Sequence, residues 1–393
     1  MTQRELALDI IYKTISDKSY TNLLMRTKLK EISEIQRPFV TNLVNGVLRN
    51  YDYLLFQVSD FIKDKTSLKN KIILSMAIYE RFYLKKEEYI VNNEYVNLAK
   101  NDFDKAFINA VLHKNISLKD SKDAYINNSL PKWLYSLLAK QYDETSLNKI
   151  LANYKRVPIV CYRVNHHKKF TLKEEVTWLN EDIFVCDHSL INTDNFKNGE
   201  FYIQDYNSAS LFRHLDLKEK DSLLDVCSAP GGKLFNCLDI VKPTNAYANE
   251  LHENRLYLIS NKAKLLGFDG INYLNLDGRV LNKSLKRKFD KVMLDVPCSG
   301  LGTLARKPDL KYHIEPSSLD ELETIQQELL ESCKDLVEDK GIILYSTCTL
   351  NKKENGKQVS NFLSKNANFK LLEEETIIND LGDCFYYAKL LKE

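Results

Sequence analysis

The spacing of apolar residues changes part-way along the chain. From Glu5 to about Asn115 apolar residues recur every three or four positions, as in Leu6, Ile10 and Ile15, and few glycines or prolines interrupt them. No segment of this region is apolar all round, so each predicted helix must bury one face against another. The pattern therefore predicts a bundle of amphipathic helices over residues 1–118.

A polar stretch, SLKDSKDAYINNSLP, follows the helical region and is typical of a connector. Beyond Pro131 the pattern changes repeatedly, and its predicted pieces are a helix, an extended VPIVCYRVN, a second helical stretch around TLKEEVTWL and an extended IFVCD. We therefore predict a small α/β domain over residues 119–200.

From Phe201 onward, short apolar strands alternate with helical patterns. The predicted strands are SLLD (222–225), AYANE (246–250), INYLNLD (271–277), KVMLD (291–295) and GIILYST (341–347). This alternation predicts parallel β-α-β units and a doubly wound, mostly parallel sheet over residues 201–393, with a ligand crevice at the carboxyl ends of its strands. We also expect a helix from Glu321 to Asp339 that packs Cys333 and ends before Gly341.

Composition excludes several classes of protein. A chain of 393 residues with 44% hydrophobic and 28% charged residues is neither a single small module nor a disordered chain. Glu5 and Asp9 interrupt the N-terminal apolar stretch, so we expect a cytoplasmic protein with no membrane segment. The eight cysteines form no CxxC pair, and His166 and His167 lack a second pair of ligands, so we expect free thiols and no metal.

The sharpest local motif is LLDVCSAPGGKLF, residues 223–235, in which a glycine turn joins a strand to a helix. Glycines let backbone N–H groups approach a ligand, and a helix N-terminus favours negative charge. A nucleotide-like ligand is indicated, although the motif is neither a dinucleotide fingerprint nor a phosphate-binding loop, and a turn without a ligand stays possible. Glu250 ends the next predicted strand, where a carboxylate could accept both hydroxyls of a ribose.

Two cysteines follow neighbouring predicted strands. Asp295 and Cys298 lie in DVPCSGLGT, and Cys348 lies in YSTCT. Because the ends of parallel strands meet at one edge of the sheet, we expect both thiols to converge on the same crevice. Convergence favours a nucleophile, whereas a lone cysteine is more often packing.

In combination, CSAPGGK, DVPCSGLGTLARKPDLKY and STCTLNKKENGKQV resemble the Sun (Fmu/RsmB-like) family of S-adenosylmethionine-dependent RNA cytosine-5 methyltransferases. The segments RELALDIIYKTISDKSYTNLLM, RPFVTNLVNGVLRNYDYL and FINAVLHKN resemble the NusB-like, RNA-binding helical domain of the family's small-subunit ribosomal RNA branch. The resemblance implies a Rossmann-like methyltransferase domain preceded by an all-α NusB-like bundle and a small α/β domain.

The resemblance also implies roles for the two thiols. Cys348, after Thr347, would add to C6 of cytosine as the nucleophile, and Cys298 would assist release of the RNA. Asp295 would act on the N3 and N4 edge of the base. DNA enzymes of similar chemistry use the Pro-Cys thiol instead, so choosing Cys348 depends on the resemblance and not on spacing.

The same resemblance implies a binding site for S-adenosylmethionine. Glu250 would hold the ribose, Asp277 would lie near the adenine and Asp295 near the transferred methyl group. The residues implied around the methionine portion are Cys227, Ser228, Ala229, Pro230, Gly231, Gly232 and Lys233. Lys233 could pair with the cofactor carboxylate or simply be solvated.

The expected partner is RNA, namely small-subunit ribosomal RNA before its assembly, bound by a monomer. Arg306, Lys307 and Lys311 could contact its phosphates, although charge runs are more often exposed faces. Two alternatives stay open: a transfer RNA cytosine-5 methyltransferase, and a non-catalytic NusB-like RNA-binding protein. Intact Cys298, Cys348 and Asp295 argue against the second.

Overall fold

The computed structural model describes residues 1–242 and 245–393, which pack into two compact units. The first unit combines Met1–Val157 with Leu304–Ile314, and the second combines Pro158–Thr303 with Glu315–Glu393. Residues 119–157 thus group with the helical region, whereas the sequence pattern assigns them to a separate α/β domain. The division at 118 and 200 stays a prediction.

The described helices, numbered in chain order, are α1 Gln3–Ser16, α2 Thr21–Lys28, α3 Arg37–Phe56, α4 Leu68–Phe82, α5 Glu88–Val96, α6 Asp102–Leu112, α7 Ala124–Asn127, α8 Lys132–Gln141, α9 Glu144–Lys155, α10 Asp194–Lys197, α11 Tyr206–Ser210, α12 Gly232–Ile240, α13 Glu253–Leu266, α14 Leu281–Ser284, α15 Leu310–His313, α16 Pro316–Leu336 and α17 Gly356–Lys365. None of these helices has the length and apolar character needed to cross a membrane.

The described strands are β1 Cys161–Val164, β2 Thr177–Trp178, β3 Ile183–Val185, β4 Phe201–Ile203, β5 Ser222–Asp225, β6 Asn245–Asn249, β7 Ile271–Leu274, β8 Phe289–Asp295, β9 Val337–Thr347, β10 Phe369–Ile377 and β11 Phe385–Lys392.

The first unit is the predicted helical bundle. Thr2 begins α1 with a capping box, in which its hydroxyl accepts from the Glu5 N–H and the Glu5 carboxylate accepts from the Thr2 N–H. Leu6 and Ile10 are fully buried in a core shared with α3, α4 and α6. The amphipathic pattern thus becomes a core because each helix turns its apolar stripe inward.

The segment Leu304–Ile314 packs inside the first unit, although residues of the second unit flank it in the chain. Arg49 donates to the Ala305 carbonyl at 2.7 Å, and Lys311 donates to the carbonyls of Ser129 at 2.6 Å and Arg49 at 3.2 Å. Burial lowers the pKa of Lys311 to about 8. The expectation that Lys311 contacts RNA phosphates is therefore wrong, because the main chain of the helical unit already binds its ammonium group.

A four-stranded antiparallel sheet, in the order β2-β3-β1-β4, opens the second unit. The helix expected around TLKEEVTWL is absent from this described region. The Thr171 N–H donates to the Glu200 carboxylate at 2.7 Å, and Trp178 pairs with Phe184 in the sheet. These tertiary contacts outweigh a helical spacing that is only a few residues long.

A seven-stranded sheet forms the rest of the second unit, in the order β10-β11-β9-β8-β5-β6-β7. The five strands from β9 to β7 are parallel, and β11 and β10 add antiparallel edges. Leu223 packs with α12 and α13, whereas the adjacent Leu224 packs with α16 and α17 on the opposite face. The predicted α/β class and the mostly parallel sheet are confirmed.

The helix before the last parallel strand ends earlier than predicted. α16 ends at Leu336, and β9 begins at once with Val337, which pairs with Phe289. Gly341 lies inside β9 and does not end the helix, so that expectation is wrong. Cys333 is fully buried, in agreement with its predicted packing role.

Candidate active site

The glycine turn connects the end of β5 to the start of α12. Gly231 has a φ of +93°, and a Cβ there would lie 2.6 Å from the Phe235 ring, so only glycine fits. The Ser228 N–H donates to the Asn249 carbonyl at 2.9 Å, and its hydroxyl donates to the Asp225 carboxylate at 2.7 Å. These contacts fix the turn beside the end of β6. The residues predicted to surround the methionine portion all lie here: Cys227, Ser228, Ala229, Pro230, Gly231, Gly232 and Lys233.

Two thiols lie together after β8 and β9. The Sγ atoms of Cys298 and Cys348 are 3.4 Å apart, and neither residue forms a disulfide. They meet because β8 and β9 are parallel neighbours that pair Asp295 with Ser346 near their carboxyl ends. The hydrogen bond with Cys348, together with burial, raises the pKa of Cys298 well above its ordinary value. The raised pKa favours the thiol form of Cys298.

Asp295 lies between a cation and a hydroxyl. The Lys233 Nζ donates to its Oδ2 at 2.7 Å, and the Ser346 hydroxyl donates to its Oδ1 at 2.9 Å. Burial by itself would lower the pKa of Lys233, but the charge and hydrogen bond of Asp295 raise it overall, with a further contribution from Cys348. Lys233 is thus an ammonium bound to Asp295 and is not simply solvated, whereas its pairing with the cofactor carboxylate stays a prediction.

Glu354 ties the two cysteine loops together, although sequence reasoning did not identify it. Its side chain is fully buried and accepts from the Ser299 N–H at 2.8 Å, the Ser299 hydroxyl at 2.5 Å and the Gln326 amide at 3.0 Å. Asn351 and Thr349 also donate to it, at 3.1 Å and 3.4 Å. One carboxylate therefore holds the residue after Cys298 and the segment after Cys348.

The two remaining acidic residues lie at the ends of β6 and β7. Glu250 is 4% exposed, accepts from the His252 N–H at 3.1 Å and lies 3.5 Å from Arg255. The hydrogen bond from Arg279 lowers the pKa of Asp277, whose carboxylate lies 2.6 Å from that guanidinium. The Asn249 amide donates to the Val226 and Leu276 carbonyls, each at 3.0 Å, so it joins the glycine turn to the loop that carries Asp277.

Two buried polar side chains at this edge of the sheet lack partners. Within the described residues, neither Nε2 nor Oε1 of Gln204 has a hydrogen-bond partner, and the same is true of Asp225 Oδ1. Burial raises the pKa of Asp225 to about 7. Buried groups of this kind usually have a partner, which a bound ligand or an ordered water supplies.

One further cluster could in principle hold a metal. Cys186, Asp187 and His188 place ligand atoms within 4.8 Å of one another, but they are consecutive residues at the surface. His166 instead contacts Asp182 at 2.8 Å, and His167 contacts the Leu238 carbonyl at 3.2 Å. Both histidines therefore contribute to packing of the second unit.

Comparison with known proteins places the chain in a family. Residues 212–390 match the family described as 16S rRNA methyltransferase RsmB/F, and residues 1–117 match the NusB family. The chain is 30% identical to the probable ribosomal RNA small subunit methyltransferase B of Bacillus subtilis (strain 168), over 93% of this chain and 89% of that protein. The chain belongs to the 16S rRNA methyltransferase RsmB/F family. The Escherichia coli O1:K1 / APEC ribosomal RNA small subunit methyltransferase B is 26% identical, over 99% of this chain and 98% of its own.

Solved structures share this family's fold. The protein PH0851 matches with a TM-score of 0.76 at 20% identity, over 100% of this chain and 99% of its own. NSun6 from Pyrococcus horikoshii, solved with SFG, matches with a TM-score of 0.57 at 20% identity, over 67% of this chain and 98% of its own.

Proposed function

We propose that the protein methylates C5 of a cytosine in small-subunit ribosomal RNA, with S-adenosylmethionine as the methyl donor and a covalent adduct between Cys348 and C6. The observation that carries the proposal is the cluster of Cys298, Cys348, Asp295 and Lys233, in which the two sulfur atoms are 3.4 Å apart and the ammonium lies 2.7 Å from the carboxylate. Membership of the RsmB/F family supports the choice of RNA.

The residues at the glycine turn fit the donor. The buried Asp225 oxygen that lacks a partner suits the ammonium group of an amino acid, and the largely buried Glu250 suits ribose hydroxyls. Cys227 to Lys233 and Asp277 would complete the site around the methionine portion and the adenine. When bound, S-adenosylmethionine supplies an electrophilic methyl group.

Cys348 is the better nucleophile of the pair. The charge of a Cys348 thiolate contributes to the raised pKa of Lys233, and the same interaction favours the thiolate form of Cys348. Cys298 keeps its proton and can donate it to the Cys348 sulfur. Addition of the thiolate to C6 breaks the C5–C6 double bond and makes C5 nucleophilic.

Asp295 acts on the base as a carboxylate. Lys233 and Ser346 both donate to it, and these hydrogen bonds position its oxygens to accept a further one from the N4 amino group of cytosine. The ammonium of Lys233 then offsets the negative charge that the ring gains when the thiolate adds. Because these groups are largely buried, the target nucleotide must be single-stranded or flipped out to reach them.

Cys298 completes the cycle. Once Cys348 is bound to C6, its sulfur no longer raises the pKa of Cys298 as a thiolate partner. Cys298 can then release its proton to solvent, and the resulting thiolate can accept the proton from C5. The electrons of that C–H bond restore the C5–C6 double bond and expel the Cys348 thiolate.

The test uses purified protein, labelled methyl donor and bare small-subunit ribosomal RNA, followed by mapping of 5-methylcytosine. We expect methylation by the wild type and none by Cys348→Ala. Methylation that survives in Cys348→Ala but is lost in Cys298→Ala would reverse the assignment of the nucleophile. If only transfer RNA is methylated, the proposed substrate is wrong and the protein is a transfer RNA methyltransferase. If no RNA is methylated, the result favours an RNA-binding protein without catalytic activity.

A second measurement tests the role of Cys298. We expect Cys298→Ala to accumulate a protein–RNA adduct that survives a denaturing gel, because the step that expels the thiolate lacks its base. The double variant Cys298→Ala/Cys348→Ala is the control and should form no adduct. If Cys298→Ala forms no adduct although Cys348→Ala is inactive, Cys298 has no role in release.

A further inference from the structure

Gln204 is a buried amide with no assigned role. It follows β4, its main-chain N–H donates to the Cys161 carbonyl at 3.1 Å, and the residue is 8% exposed. Its side-chain Nε2 and Oε1 both lack a hydrogen-bond partner within the described chain. Burying a donor and an acceptor together without partners is unfavourable, so a ligand that satisfies both is expected.

The amide lies against the start of α12. A Cβ built on Gly232 would lie 3.4 Å from Gln204 Nε2 and 3.9 Å from its Cδ. No side chain caps this nine-residue helix, because its N-cap position is Gly231. The first N–H groups of a helix have no partner inside the helix and favour an anion. Gln204 therefore borders a helix N-terminus that is open to a ligand.

The chemistry of these groups selects an α-amino acid. Gln204 Nε2 needs an acceptor and Oε1 needs a donor, which a carboxylate and an ammonium on one carbon supply together. The helix N-terminus favours the carboxylate, and the unpartnered Oδ1 of Asp225, on the strand that leads into the turn, suits the ammonium. A phosphate has no positive donor group, so it would leave Oε1 of Gln204 unpaired.

We infer that the Gln204 side chain binds the amino-acid end of the methyl donor, with Nε2 donating to the carboxylate and Oε1 accepting from the ammonium. The inference rests on the proposed function, since it concerns the same cofactor site. It makes Gln204 a binding residue that selects ligands carrying an amino acid over the bare nucleoside.

The test measures binding to the full chain by titration calorimetry, without RNA or turnover. Two ligands are compared: S-adenosylhomocysteine, which carries the amino-acid end, and 5′-methylthioadenosine, which lacks it. In Gln204→Leu we expect affinity for S-adenosylhomocysteine to fall about 10- to 100-fold, as for a lost hydrogen bond to a charged group, and affinity for 5′-methylthioadenosine to stay within about twofold of the wild type. Retained binding of 5′-methylthioadenosine also shows that the variant is folded.

Glu250→Ala is the matched control. Because Glu250 is assigned to the ribose, which both ligands contain, this variant should weaken both to the same extent. Equal affinity of wild type and Gln204→Leu for S-adenosylhomocysteine overturns the inference, and so does an equal loss for the two ligands. If the wild type binds neither ligand, the proposed function fails instead.

Discussion

At the scale of single residues, the fully buried Glu354 carboxylate shows how the two thiols come to lie 3.4 Å apart. It accepts five hydrogen bonds, and three of them come from groups that can only donate: the Ser299 N–H and the amide NH₂ groups of Gln326 and Asn351. Ser299 follows Cys298 directly, and Thr349 follows Cys348. Glu354 is therefore a positioning residue that acts through the two cysteine loops.

The variant Glu354→Gln should show whether Glu354 positions the two cysteine loops for catalysis or contributes to binding of the methyl donor. Its NH₂ group would face donors such as the Ser299 N–H and the Gln326 amide, so one loop must move. We expect kcat to fall about 10- to 100-fold while KM for the methyl donor changes less than about threefold. The rate at which iodoacetamide alkylates Cys348 should change as well. Glu328→Gln, on the surface of α16, is the control, and identical behaviour of the two variants would contradict the positioning role.

Asp225 gives a prediction about pH. Burial raises its pKa to about 7, whereas an aspartate in the unfolded chain has its ordinary pKa of 3.8, so the folded protein keeps a proton that the unfolded chain releases. The contribution of this group to stability is present at low pH and is lost as pH rises towards 7. The free energy of unfolding of the wild type, relative to Asp225→Asn, should therefore fall by about 1 kcal/mol per pH unit between pH 5 and 7 and be level above pH 8.

This prediction is measured by urea unfolding of the second unit. In a Trp133→Phe background, fluorescence of Trp178 reports that unit alone, because the chain contains two tryptophans. Asp290→Asn is the control. Hydrogen bonds from Ser222 outweigh burial and lower the pKa of Asp290. The difference in the free energy of unfolding between wild type and Asp290→Asn should therefore not vary between pH 5 and 8. If the difference in the free energy of unfolding between wild type and Asp225→Asn stays constant over the same pH range, the raised pKa of Asp225 is contradicted.

At the scale of elements, the short turn at 301–303 supports the end of β9. The Gly302 N–H donates to the Cys348 carbonyl at 2.9 Å, and the Gly302 carbonyl accepts from the Cys384 N–H at 2.9 Å. A Cβ on Gly302 would lie 2.1 Å from the Cys384 oxygen and 2.8 Å from the Cys348 oxygen. Main chain surrounds this position on both sides, so no flexible side chain can move to make room.

Gly302→Ala should therefore displace the loop that carries Cys348. We expect a loss of about 1–3 kcal/mol in the free energy of unfolding and at least a tenfold lower single-turnover methylation rate. Gly356→Ala, at the start of α17, is the matched control, because its Cβ would meet two side-chain oxygens at ordinary van der Waals distances, Glu374 Oε2 at 3.6 Å and the Tyr386 hydroxyl at 3.9 Å. Thermal melts and single-turnover assays of both variants check this, and equal stability of the two would show that the turn is free to move.

Elements that combine a strong period with a clear end were predictable from sequence. The run SLLD was predicted correctly as a strand and forms β5, from Ser222 to Asp225. A short apolar run that ends in an acidic residue and a glycine turn fits few structures other than a buried strand. The helix predicted around TLKEEVTWL was wrong, because its apolar period is only a few residues long and the pairing of Trp178 in the sheet decides the structure there. Sequence also missed Gln204 and Glu354, since only the folded chain shows that a polar residue in a polar segment is buried.

At the scale of the whole molecule, the return of the chain to the helical unit at residues 304–314 could not be predicted from the spacing of apolar residues. Residues 304–314 read as a basic segment of the C-terminal region, yet Leu304 is 3% exposed within the first unit, and Tyr312 packs against the helical core. The Thr21 N–H, at the start of α2, donates to Asp309 at 3.0 Å. The helical unit is therefore incomplete when its sequence is taken only as residues 1–157.

This organisation predicts the behaviour of fragments. Residues 1–157 joined through a flexible glycine–serine linker to residues 304–314 should melt about 3–10 °C above residues 1–157 alone, because burial of Leu304 and Tyr312 and the hydrogen bonds of Lys311 add a few kcal/mol. The control carries the same appended residues in scrambled order and should show no rise. Circular dichroism melts measure all three fragments. If the native and scrambled segments give the same melting temperature, residues 304–314 do not stabilise the helical unit, and the boundary drawn at 157 is sufficient.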